Sequence, residues 1–151
     1  MTLLSFLALA LVAAALSAAY IRLAPSDVAR WHRDVLNDSL AKPGPCVDQV
    51  LPGLGSARAI CLLDQSPQQL LTQLDAIATA SPRTMRLAGD AASGRITWIT
   101  RSALWGFPDY TTAQTLQTEG GTRLDIFARL RFGQADLGVN AARLRAWLSL
   151  L

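Results

Sequence analysis

The stretch TRLDIFARLRF, residues 122 to 132, alternates without a break. Leu124, Ile126, Ala128, Leu130 and Phe132 fall on one side of an extended chain, and Arg123, Asp125, Phe127, Arg129 and Arg131 on the other. Successive side chains of a strand point to opposite faces, so the segment predicts a strand with one buried and one solvated face, the mark of an antiparallel sheet. Glu119-Gly120-Gly121 turns the chain into it from DYTTAQTL (109 to 116), a Thr-rich strand. Further upstream, residues 94 to 101 set Ile96 and Trp98 against Thr97, Ile99 and Arg101, and residues 83 to 88 supply one more strand.

Helices flank these four strands. Ser66 is placed to cap a helix with Pro67 at its first position and Gln69 to return the capping hydrogen bond. Leu70, Leu71, Leu74, Ile77 and Ala78 recur at helical spacing until Ser81-Pro82 ends the run. After the strands, Asn140 suits the N-cap of AARLRAWLSLL, whose buried stripe is Leu144, Trp147, Leu148 and Leu151, with Arg143 and Arg145 pointing out. The expected core is thus an α+β domain over residues 66 to 151, two layers deep, with a four-stranded, mainly antiparallel sheet packed by helices. No βαβ alternation, G-x-G-x-x-G or P-loop is present, which excludes a parallel nucleotide-binding sheet.

Residues 2 to 21, TLLSFLALALVAAALSAAYI, carry no charge before Arg22. A helix of this length spans roughly 30 Å, the thickness of a bilayer core, and predicts a single-pass membrane protein anchored by residues 1 to 21, with the lipid bilayer as partner of residues 2 to 21. Ser17, Ala18 and Ala19 would also suit signal peptidase, but no Lys or Arg precedes the run and it is long for a signal core, which favours a retained anchor over a cleaved signal peptide. Residues 22 to 65 read as an irregular juxtamembrane segment. It holds a short helix, SDVARWHRD, capped by Ser26, and then Pro43, Gly44, Pro45, Pro52, Gly53 and Gly55. Tyr20 and Trp31 are residues of the type that settle at bilayer interfaces or pack against a neighbouring domain.

The side of the membrane is contested within the sequence. Arg22, Arg30 and Arg33 follow the anchor, and the positive-inside rule read literally keeps the domain in the cytoplasm. Cys46 and Cys61 are a candidate disulfide, which favours the periplasmic side and a cell-envelope protein; the alternative is two unpaired cysteines. No metal is expected, since His32 is the one histidine and no Cys-x-x-Cys accompanies it, and no cofactor motif is present. The formal charge of +3 comes from basic residues scattered among acidic ones, which argues against nucleic acid.

Two stretches look unlike filler: TRSALWGFPDYTT (100 to 112) and ARLRFGQADLGVN (128 to 140). With the strands paired, Arg101, Arg129 and Arg131 would share a solvated face, and Asp109 and Asp136 would sit in loops at its ends, with Asn140 beside them. Guanidinium groups are bidentate partners for carboxylate or phosphate, so these residues are candidates for binding an anionic small molecule in a non-enzymatic module. The competing structural reading has the two acids pair with those arginines or cap turns, fixing the loops around the glycines. A hydrolase-like alternative uses Asp109 and Asp136 as general acid and base beside Arg101, without a nucleophile elbow or triad motif to support it. In this scheme Asp125 is a surface ion-pair partner. A third reading, an assembly subunit, requires a contiguous exposed apolar patch.

SPRTMRLAG (81 to 89), TRSALWGFPDY (100 to 110) and FARLRFGQADLGVNAARLRAWL (127 to 148) resemble the bacterial and plastid family known as domain of unknown function 1499. APSDVARWH (24 to 32) resembles a subgroup with an amino-terminal membrane helix. Arg101, Gly106, Phe107, Pro108, Asp109 and Tyr110 match the first signature. Arg129, Arg131, Phe132, Gly133, Asp136, Gly138, Val139 and Asn140 match the second. Ala128 and Ala135 stand where relatives often carry Ser, so no serine nucleophile is implied there. The resemblance implies fold and membrane placement, and no reaction, ligand or cofactor.

Overall fold

Strands pair into a single antiparallel sheet in a computed structural model that describes residues 3 to 36, 41 and 44 to 151. Thr2 and Pro43, which entered the sequence reading, lie outside the described residues. The sheet has six strands rather than the four expected, in the order β1-β2-β6-β5-β4-β3. They are β1 (Leu51–Pro52), β2 (Ser56–Leu63), β3 (Thr84–Asp90), β4 (Arg95–Arg101), β5 (Pro108–Thr118) and β6 (Gly121–Leu130). The two extra strands come from the stretch read as irregular. In β2 the inward residues are Ala57, Ala59 and Cys61, each at most 1% exposed. Small residues are poor strand formers, so the alternation was there without the bulky apolar side chains that make it visible. Pairing of the whole of β2 with β6, from Ser56 opposite Arg129 to Leu63 opposite Thr122, supplies what propensity does not.

One face of the sheet takes two helices, α3 (Pro67–Ala80) and α4 (Val139–Leu148). The capping box forms as the sequence predicts: Ser66 Oγ accepts from the Gln69 amide at 3.3 Å, and Gln69 Oε1 accepts from the Ser66 amide at 3.4 Å. Leu70, Leu71 and Leu74 of α3 and Leu144, Trp147 and Leu148 of α4 close over Ile96, Trp98, Ala113, Leu124 and Ile126. Trp98 and Trp147 meet edge to face at 5.7 Å. Their indole N–H groups donate to Asp75 Oδ1 and Ser81 Oγ, both at 2.8 Å, so neither large ring is buried with an unmet donor. The α4 cap differs from expectation. Gly138, at φ 82°, is the N-cap, Asn140 lies in the first turn and is fully buried, and Arg143 points inward rather than out.

The Cys46–Cys61 disulfide ties a 3-10 turn, Cys46–Gln49, to the middle of β2 with a Cα separation of 5.4 Å. Cross-linking residues 15 apart removes chain entropy from the unfolded state, a stabilisation of about 3 kcal/mol.

The second face of the sheet is covered as well. Residues 24 to 36, including the single turn α2 (Val28–Trp31), run across it as a strap. Asp27, not Ser26, caps that turn, through a 2.9 Å bond from the Ala29 amide. Trp31 lies flat on Tyr110, with ring centroids 3.9 Å apart and 6° between planes, and Val35 is also buried. Asp125 is therefore not a surface partner: it is fully buried, gripped by Arg123 at 2.5 Å and faced by Arg58 at 3.8 Å. Ahead of the strap, α1 (Leu3–Leu23) is long and apolar enough to cross a membrane, and none of its residues is buried against the domain.

Trp31→Ala is expected to lower the stability of the domain by about 3 kcal/mol, because it opens a cavity under the strap. Val28→Ala, on the 45% exposed neighbour, should change little. Chemical denaturation of the full chain in detergent measures both.

Candidate functional site

Strand register decides where the candidate residues stand. Tyr110 lies opposite Arg129, and Asp109 opposite both Thr100 and Leu130. Arg129, Arg131 and Arg101 thus have the register of the strap face, and Asp109 has that of the helix face. The structure does not gather the six candidates into one pocket.

On the strap face the arginines hold backbone. Arg58 donates to the Val35 carbonyl at 2.7 Å, Arg129 to the Trp31 carbonyl at 2.6 Å, and Arg131 to the Pro25 carbonyl at 2.9 Å. Arg131 also donates to the Tyr110 hydroxyl oxygen at 3.1 Å, which leaves that hydroxyl's own proton for Ser26 Oγ at 2.7 Å. The Arg129 guanidinium lies within 5.4 Å of the centroids of both the Trp31 and Phe127 rings. Burial, reinforced by the Arg33 and Arg58 cations, lowers it to about 10, and it stays protonated at neutral pH. A guanidinium between two aromatic faces is partly compensated by their quadrupoles.

His32 belongs to the same strap. Its Nδ1 lies 2.9 Å from Thr97 Oγ1, and Arg95 Nε donates to its Nε2 at 3.4 Å. An Nε2 that accepts must carry a lone pair, so the ring is neutral with its proton on Nδ1, donated to Thr97. Gly89, at φ 80°, makes room: a Cβ there would meet the Arg95 carbonyl oxygen at 2.0 Å and His32 Cε1 at 2.7 Å.

On the helix face, Asp109 pairs with Arg143 at 3.3 Å, and Arg143 also donates to Asn140 Oδ1 at 2.7 Å. Burial raises the Asp109 carboxyl above the ordinary range, opposed by the Arg143 cation. Asp136 works on the backbone: its oxygens accept from the Gly138 amide at 3.1 Å and the Asn140 amide at 2.8 Å, closing the first turn of α4. The acids therefore pair with Arg143 and with amides, not with the arginines of the other face.

A different set of arginines lines open space. At the end of the sheet where β4 stops and β3 begins, a cleft of about 550 Å³ is bordered by Arg22, Arg83, Arg101 and Ser102. It adjoins a second of about 460 Å³ that reaches Arg143 and Trp147. Arg22 donates to the Trp105 and Leu104 carbonyls at 3.2 and 3.3 Å, Arg83 to the Arg101 carbonyl at 3.1 Å, and Arg101 to the Gly106 carbonyl at 3.0 Å. Those bonds leave each guanidinium with further N–H groups, and no carboxylate is paired with any of the three among the described residues. Gly106, at φ 70°, admits the Arg22 side chain, which a Cβ would meet at 3.1 Å. Arg22 had counted only as a flanking charge and Arg83 as part of a signature. The signal for Arg83 is conformational, a left-handed residue at φ 57° after Ser81-Pro82, and no spacing rule reveals it.

No cluster of three or more His, Cys, Asp or Glu placed to hold a metal occurs among the described residues, and His32, with Thr97 and Arg95 for partners, forms no triad. What fold and site define is a two-layer α+β domain, stapled by one disulfide and preceded by an exposed apolar helix. The family model described as protein of unknown function (DUF1499) matches residues 39 to 151, and the chain belongs to that family. No curated protein matches it.

The pH dependence of the strap follows from His32. Burial and then the Arg95 cation hold its pKa below the ordinary value. Below about pH 6.5 the unfolded chain takes up a proton that the folded chain accepts only at lower pH, so this stabilisation is complete above that value and declines as pH falls through it. Denaturation of the full chain in detergent should show lower stability at about pH 5 than at about pH 7, with a smaller difference in His32→Gln. Equal differences in the two proteins would contradict the assignment.

Proposed function

We propose that this protein is a single-span membrane protein whose small domain is a non-enzymatic module holding an anionic group, phosphate or carboxylate, at the membrane surface. The observation that carries the reading is the cleft bordered by Arg22, Arg83 and Arg101, whose guanidiniums, among the described residues, bond only to backbone carbonyls. Unpaired guanidinium N–H groups converging on one opening are the donor set that a planar or tetrahedral oxyanion requires. Arg129 and Arg131, expected from sequence to face such a ligand, are occupied with the strap, and Arg101 remains from the original set.

The non-enzymatic reading is supported by what the acids do. Asp109 pairs with Arg143 and borders neither cleft, Asp136 closes a helix turn, and Arg101 has the register of the opposite face from Asp109. The anchor reading rests on α1, which carries no charge before Arg22 in its last turn and has no buried residue. For the side of the membrane, the buried Cys46–Cys61 disulfide favours an oxidising compartment, and thus a domain outside the cytoplasm.

Titration of the full chain in detergent with inorganic phosphate, followed by calorimetry, should give saturable binding. Arg83→Gln and Arg101→Gln are each expected to weaken it about ten-fold, the loss of one charge-assisted hydrogen bond, while Arg145→Gln on the exposed side of α4 leaves it unchanged. No saturation, or equal affinity in all three variants, would remove the reading. In chain taken from its native membrane, alkylation without reductant should find no free thiol; two reactive thiols would place the domain in a reducing compartment.

A further inference from the structure

The two ends of the sheet differ in chemistry. At one end lie the connections 53 to 55, 102 to 107 and 131 to 138; at the other, 64 to 66, 91 to 94 and 119 to 120. The first group exposes Leu54, Leu104, Trp105 and Leu137, at 76%, 74%, 54% and 95% of their surfaces. The second group contains no large apolar residue: it reads Asp-Gln-Ser, Ala-Ala-Ser-Gly and Glu-Gly. The balance of charge follows the same division: Arg22, Arg83, Arg101 and Arg131 outnumber Asp109 and Asp136 at the first end, and Asp64, Asp90 and Glu119 outnumber Arg95 at the second.

We propose that the first end is a membrane-seating surface, with Leu104 and Trp105 inserted in the interface of the leaflet where α1 ends. The proposal rests on the anchor reading of α1 and not on the phosphate-binding reading of the cleft. The loop 102 to 107 is closed by its own bonds: the Ser102 amide donates to the Phe107 carbonyl and the Phe107 amide to Ser102 Oγ, each at 2.9 Å. Its apex side chains are thus free of any part in holding the loop. The loop is instead fixed to α1, since its Leu104 and Trp105 carbonyls accept from Arg22, one residue before the helix ends. Tyr20 also meets Phe132 edge to face at 6.3 Å, which holds the 131 to 138 connection to the same end of α1.

An apolar helix that spans the hydrocarbon core up to Ile21 puts Arg22 at headgroup depth, and the loop bonded to Arg22 lies at that depth too. Tryptophan and leucine beside arginines suit this layer, where ring and alkyl groups reach acyl chains and guanidiniums meet lipid phosphates. The charge division favours a bilayer over a protein as occupant. An anionic lipid surface attracts the arginine end and repels the acidic one, and so sets the domain's orientation about the end of α1.

Tryptophan fluorescence can test this with the full chain. Of the four tryptophans, Trp31, Trp98 and Trp147 are at most 6% exposed, and Trp105 is 54% exposed. The chain is reconstituted into vesicles of phosphatidylcholine and phosphatidylglycerol with plain or brominated acyl chains, since bromine quenches only a ring close to it. Quenching by the brominated lipid that disappears in Trp105→Phe is the expected result. If the chain floats with the vesicles but wild type and Trp105→Phe are quenched alike, or neither is quenched, the seating surface is wrong and the apolar end belongs to a protein partner. If the chain does not float with the vesicles at all, the anchor reading and this proposal fall together.

Discussion

A sheet with helices on one side has a second face to dispose of, and here that face carries Arg58, Arg123, Asp125, Phe127 and Arg129. Burying such a face costs more than it returns unless each polar group finds a partner. The strap of residues 24 to 36 leaves Arg129 Nε buried without a hydrogen-bond partner among the described residues, and meets most of this condition by offering carbonyl oxygens. Three of these, from Pro25, Trp31 and Val35, each receive an arginine from β2 or β6 or the residue just past it, and Trp31 fills the space between Arg129 and Tyr110. Charge-assisted bonds to backbone are worth roughly 1.5–3 kcal/mol each, the same range in which a single substitution is felt.

Much else is a consequence of that cover. Because the strap starts at the end of α1, fixing it to the sheet fixes where the helix leaves the domain, beside loop 102 to 107 and Phe132. Arg22 then stands at the cleft with Arg83 and Arg101. The cleft is therefore a product of two segments far apart in sequence, one ahead of the domain and one inside it. The disulfide acts on the other edge, where β2 and the turn before it have few bulky side chains of their own to hold them under α4.

The strands with large alternating residues, β4, β5 and β6, and the capped helix α3 were legible because pattern and burial agreed in them. β2 was not, because its inward residues are Ala57, Ala59 and Cys61, and an alanine looks the same buried or exposed. Alternation in β6 correctly separated Leu124, Ile126 and Ala128 from Arg123, Asp125, Phe127 and Arg129, yet it could not tell a face open to water from one covered by a distant strap. That confusion misplaced Asp125 and gave Arg129 and Arg131 to a ligand. The family signatures drew attention to both loops at the arginine end, and in the structure most of their polar residues, Asp136 and Asn140 among them, are bound to neighbours within the fold.

The claim that arginines hold the strap by its backbone is tested most directly by hydrogen exchange of the full chain in detergent, wild type against Arg129→Met. Amides of residues 31 to 35 should be protected in the wild type, and in the variant they should exchange at least ten-fold faster while those of β5 and β6 keep their protection. Equal protection of the strap in both proteins would contradict the account.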